Sequence, residues 1–346
     1  MSVFALRPFT GLYAIAFICF AFVFIGFARA ENPPLAQSTG APEAILDVHF
    51  RDAQIGWACG SGGALFRTLD GGADWIRVES GVAGDLNAVR FATADSGWVV
   101  GDAGVILATV DGGATWSVQG DGSVRGDGAA QEGGTDRNLY ALHVCDSRLL
   151  FAAGRDGTIL GTRDGGVTWS QRPSMTREYL RAIQFSGPDT GWACGYRGAM
   201  VKTVDGGRTW AALATGTTWS LNTLFFTDGL RGWAAGYNGT LLRTADGGAT
   251  WTSQNAGMPI GLNALRFTDS ANGWAAGNGG MILRTTDGGA NWKTTHSGTT
   301  LRLNAIAAAE GGWVWLGGSK GLVLRFPGLP VRVSSPAEVL DSLRSD

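Results

Sequence analysis

The sequence has no basic excess: 27 Lys and Arg against 29 Asp and Glu leave a formal charge of −2. No global field is available to hold a polyanion, and nucleic acid is not expected as a partner. The 55 glycines follow no Gly-X-Y period, which excludes a collagen-like fibre and leaves tight turns as the reason for them. Cysteine is scarce. Of four, Cys19 falls in the N-terminal segment, and the odd remainder of Cys59, Cys145 and Cys194 cannot form a closed disulfide framework. EF-hand spacing and paired-acid motifs are missing too, so no metal or cofactor is expected.

One long uncharged run is present, Thr10 to Phe27, preceded by Arg7 and followed by Ala28-Arg29-Ala30. Residues 1–30 read as a secretory signal with the mature start near Glu31; its 18 uncharged residues also approach a bilayer span, so an uncleaved anchor is the alternative. Ile18 before Cys19 argues against a lipoprotein site. Either reading exports the rest of the chain, to a periplasmic or secreted location.

The rest is repetitive. Thr-x-Asp-Gly-Gly-x-x-Trp boxes begin at Thr68, Thr109, Thr162, Thr203, Thr244 and Thr285, a period of 41 residues with one insertion of twelve. A second marker, Trp followed by small residues, recurs at Trp57, Trp98, Trp192, Trp233, Trp274 and Trp315, with Phe151 in the third place. The marker counts seven units, the last without a box. Each unit reads as four short strands bounded by Gly and Asp turns, which predicts an all-β, seven-bladed β-propeller of four-stranded antiparallel blades over residues 45–334. Residues 31–44 are then a linker or a closing strand, and 335–346 a polar tail. Cys59 and Cys194 occupy equivalent places three units apart, should not meet, and read as small buried residues.

Within a box the Asp carboxylate can accept N–H bonds from its own turn, the glycines allow positive φ, and the Trp fills space between strands. Asp70, Asp111, Asp164, Asp205, Asp246 and Asp287 therefore read as structural. One per blade, they stand too far apart for a metal cage or a catalytic pair.

These boxes are Asp-boxes, or BNR repeats, and the unit GWAAGxxGxILRTxDGGxTW resembles the photosystem II assembly and stability factor family over nearly all of the mature chain. The resemblance implies an exported propeller that assists assembly of a membrane protein complex, with a protein partner and no small-molecule substrate. A monomer is expected.

Comparing the seven copies separates scaffold from variation. The box end is monotonous. The opposite end, with the turns between strands two and three and the interblade links, is not, and the insertion emerges there. The off-repeat residues Trp219, Tyr140, Tyr179, Tyr196 and Tyr237 also fall on or near that end, and from Arg137 to Arg208 ten Lys or Arg face six Asp or Glu. Tyr, Trp and Arg dominate interface hot spots. Arg155, Arg177, Tyr179, Arg181, Tyr196, Arg197, Trp219 and Tyr237 are thus the candidate partner-binding residues, with arginine forks to carboxylates giving orientation. The runner-up is an Asp-box glycoside hydrolase or sialidase, for which Asp102, Asp156 and the Glu178-Tyr179 pair are the available groups. His49 and His143 share one place in strand one with Arg90 and Arg266, and read as inner-strand polar residues.

Overall fold

A computed structural model of the chain describes residues 34–119 and 135–327. The leader, the tail and most of the insertion, with its Arg125-Gly126-Asp127 triplet, lie outside the described residues. Seven antiparallel sheets of four strands each are present, six of them running through their strands in chain order. Blade four is representative: Leu180–Phe185, Gly191–Gly195, Met200–Thr203 and Ala211–Ala212. The seventh sheet is completed from the other terminus, where Leu35–Ser38 pairs antiparallel with Leu322–Phe326. First strands of neighbouring blades touch around the full circle, blade seven against blade one included.

Each second strand is buried along its whole length, as a strand packed on both faces must be, which explains its glycines and small residues. A Cβ at Gly191 would sit 2.7 Å from the ring of Phe185; the missing side chain lets that ring lie across the strand. The turns between strands two and three are three residues long, and their middle residue is left-handed. Glycine holds that place in blades one and six (Gly62, Gly279), whereas Ala103, Asp156, Arg197, Asn238 and Lys320 hold it elsewhere.

The boxes do more than close a hairpin. In each, the Thr hydroxyl donates to the Asp carboxylate while its oxygen accepts the N–H of the second glycine, as at Thr203, Asp205 and Gly207 (2.8 and 3.0 Å). The first glycine N–H reaches the loop between strands one and two, as Gly206 does to Asp189 O at 3.0 Å, so both lie on one end. Box carbonyls also fasten neighbouring blades. The indoles of Trp57, Trp98, Trp192 and Trp315 donate to Gly112, Gly165, Gly247 and Gly71 of the following blade at 2.9–3.0 Å. Phe151 cannot donate, and Arg163 reaches Gly206 O instead, at 3.3 Å.

Aromatic stacking reinforces the same joints. Trp57 lies on Phe91, Trp192 on Phe226, Trp233 on Phe267 and Trp315 on Phe50 at 3.6–3.7 Å between centroids, and Phe151 lies on Phe185 at 4.2 Å. A box tryptophan meets each of these phenylalanines edge-on, as Trp75 does Phe50. Val144 and Ala308 take the phenylalanine's place at the two remaining joints. Cys59 and Cys194 are buried free thiols, and Cys145 is a half-buried one.

Candidate functional site

The second residue of each first strand faces the axis near the end opposite the boxes. In four blades it is asparagine. Asn87, Asn222, Asn263 and Asn304 each donate to the carbonyl that opens the next first strand, at Leu139, Leu262, Leu303 and Ile45 (2.8–2.9 Å). Leu46 takes this place in blade one, and blades three and four carry Tyr140 and Arg181, the Arg181 guanidinium lying 5.1 Å from the Tyr140 ring centroid.

From that pair an aromatic ladder climbs outward. Tyr140 and Tyr179 are 6.3 Å apart, Tyr179 and Tyr196 5.0 Å, and Arg155 caps Tyr179 at 5.5 Å. The backbone fixes it: the interblade link before Leu180 and the turn after Gly195 are joined by Tyr196 N–H donating to Tyr179 O at 2.9 Å. The sequence-predicted Arg155, Tyr179, Arg181 and Tyr196 thus converge, and Tyr140 joins them. Its signal was the asparagine that recurs at that place in four other copies.

Arg197 stands beside the ladder, 3.5 Å from Glu178 and largely exposed. Trp219, Tyr237 and Arg177 are exposed on the same end; among the described residues none makes a ring contact with the ladder. Met175 and Met258 add exposed apolar surface there. Apolar exposure alone does not single out this end, because Leu69, Val110, Val167 and Val204 are exposed at the box end.

The three acids singled out at the variable end are each engaged. Glu178 faces Arg197, Asp102 accepts from the Asn87 amide at 3.1 Å, and Asp156 is ion-paired to Arg137. Box carboxylates are held below the usual range: the Thr250 hydroxyl and N–H bring Asp246 to about 2, and the Asn291 N–H and amide do the same for Asp287. These are the groups of a turn.

Inside the first strands an axial channel of about 580 Å³ opens. Fifth residues of the first strands line it, among them Arg90, His143, Gln184, Phe225 and Arg266, and His49 holds the same place in blade one. Gln184 exchanges two hydrogen bonds with the Phe226 backbone, 2.8 and 2.9 Å. Arg90 is ion-paired to Asp47, which also accepts the Val89 N–H at 3.0 Å. Burial first, and then the charges of Arg90 and Arg266, push both His49 and His143 down to about 3.

That shift has a sign. The unfolded chain takes up protons below the ordinary histidine value of 6.5, and the native imidazoles refuse them until about 3. Stability is therefore full above pH 6.5 and drains as pH falls. Between pH 7 and 5 the loss is expected to be on the order of 3 kcal/mol for the two together. The box aspartates lie outside that window, since their contribution begins to fade only below their unfolded value of 3.8. Urea denaturation across this range checks it, and the double substitution His49→Phe, His143→Gln should flatten the profile; an unflattened profile would assign the loss to other groups.

Comparison with known proteins agrees with this architecture. The model of a family described as photosynthesis system II assembly factor YCF48 matches residues 34–128, 129–218 and 213–302. No curated protein matches the chain. Among solved structures, the chain is similar to YCF48 bound to a D1 peptide, with 24% identity, 86% of this chain and 96% of that one covered, and a TM-score of 0.71. YCF48 from Cyanidioschyzon merolae follows at 20% identity, 85% and 98% coverage and 0.69. A GH74 xyloglucanase from Xanthomonas campestris shares the fold at 16% identity and 0.65, with 88% of this chain but 55% of the enzyme aligned. At such identities these structures speak for fold alone.

Proposed function

The chain belongs to the photosynthesis system II assembly factor YCF48 family, and from that premise we propose that it is an exported, non-enzymatic scaffold. Its variable rim grips an acidic segment of a protein and assists assembly or stability of a membrane protein complex. The observation that carries this reading is the ladder of Tyr140, Tyr179 and Tyr196 edged by Arg155 and Arg181. It is built on two of the three blades that lack the asparagine staple the other four keep. Stacked tyrosines offer rigid apolar area at little entropic cost, and the guanidiniums at their edge offer paired donors to a carboxylate. A relative solved with a D1 peptide supports a peptide segment as the ligand. No helix among the described residues is long and apolar enough to cross a membrane.

Arg197 supports the same reading through its exposure. It sits at φ 52°, where blades one and six use glycine, and a left-handed non-glycine residue costs about 1 kcal/mol. Four other blades carry a left-handed non-glycine residue at the same place, so what sets Arg197 apart is a guanidinium left largely exposed to solvent, as a contact residue needs. Affinity capture from native membranes tests it. Arg181→Glu with Arg197→Glu is expected to reduce partner recovery roughly tenfold or more. Arg197→Gly alone should weaken capture while leaving the unfolding midpoint unchanged or slightly raised. Equal recovery by the double variant and the parent would remove this surface from the function.

A further inference from the structure

We propose that the axial channel is a second, separate site, which takes a compact oxyanion of the phosphate or sulfate class on Arg266 between the imidazoles of His49 and His143. His49, Arg90, His143 and Arg266 hold the fifth place of the first strands in four blades and so share one level of the ring, where Arg90, His143 and Arg266 line the channel. Asp47, the acid whose charge reaches Arg266, is already occupied by Arg90 and the Val89 N–H. Arg266 itself rests one face on Phe225, its guanidinium 5.0 Å from the ring centroid. Among the described residues it has no carboxylate within ion-pair distance.

Arg266 is open to channel water, yet protein walls it in closely enough that burial, with Arg90 adding repulsion, lowers it to about 10. It stays charged at neutral pH and lacks a counterion. The level therefore holds two guanidiniums against one carboxylate, beside two neutral imidazoles that can each donate one N–H. A guanidinium fork with imidazole donors around it suits a ligand that only accepts hydrogen bonds and carries one or two negative charges. A cation would meet repulsion here, and an apolar group would strand the donors.

Titration of the full chain with sodium phosphate at constant ionic strength, followed by calorimetry and by the histidine ring resonances, tests the site. Saturable one-site binding below ~10 mM is expected, with His49 and His143 shifting and exposed His296 still. Arg266→Gln should weaken binding roughly tenfold or more without lowering the unfolding midpoint. Arg266→Lys, which keeps the charge and loses the fork, should fall between. Should Arg266→Gln misfold, Arg266→Lys carries the comparison alone. Absence of saturable binding by the parent chain, equal affinity in the folded Arg266 variants, or movement of His296 alone would overturn the assignment. None of these outcomes touches the rim, whose test reads partner capture.

Discussion

Trp315→Ala is expected to lower the unfolding free energy by about 4–6 kcal/mol. Its indole is fully buried, stacks on Phe50 at 3.7 Å and donates to Gly71 O at 2.9 Å. Truncation at such a site costs about 3–5 kcal/mol for the cavity, and the stranded carbonyl adds roughly 1. The Arg325 guanidinium, 5.5 Å from that ring, loses part of its platform. Since a native domain holds only about 5–15 kcal/mol in total, the loss at the joint between last and first blades threatens the whole ring. Trp274→Ala is the control, because Ala308 leaves its indole without a flat stack and with only a tilted contact to Phe326 at 5.3 Å. Chemical denaturation of the two variants side by side should show the smaller shift for Trp274→Ala. Equal shifts would mean that the stack contributes nothing beyond burial.

Deleting residues 35–38 is expected to cost about 3–5 kcal/mol and to convert a monomer into associating material. The segment is mostly exposed, with Leu35 60% accessible, so little of the loss is apolar. What disappears is a four-residue ladder with Leu322–Phe326 and the anchoring beyond it. There the Thr39 N–H donates to Gly321 O at 3.0 Å and the Gly321 N–H to Glu43 O at 2.7 Å. The bared third strand would be a long unpaired edge, whereas the outer strands of blades one to five are only two residues long. Size-exclusion chromatography with urea titration reads both effects. A deletion variant that stays monomeric with an unshifted midpoint would show that blade seven does not need its fourth strand.

Blade number, strand order and the facing of the boxes were legible because the 41-residue period prints them six times. Blade closure was less so: Leu-Ala-Gln-Ser carries neither box nor marker, and its partner strand lies at the far end of the sequence. The fastening of blade to blade was hidden for another reason. A box reads as a local turn, yet its carbonyl serves an indole of the preceding blade, and no spacing within one unit discloses a bond between two. Off-repeat residues were good guides to exposure and poorer guides to convergence. Tyr179, Tyr196 and Arg181 lie together, while Trp219 and Tyr237 share the rim without touching them. Tyr140 is off-repeat in the sequence but absent from the candidate contacts, because no single unit discloses that the asparagine it replaces staples blades. The charge balance of the channel needed the fold itself, because His49, Arg90, His143 and Arg266 come from blades one, two, three and six.

The bond between Thr39 and Gly321 spans 282 residues. A growing polypeptide therefore makes one half of its final hairpin at the outset and the other half last, so the order of synthesis and the order of completion are opposed. Six blades can assemble locally while the seventh waits on an encounter between distant segments, whose entropy of approach sets the slow step. Until that encounter the nascent protein carries two unsealed flanks, and its exposure to aggregation is decided by how long they stay apart.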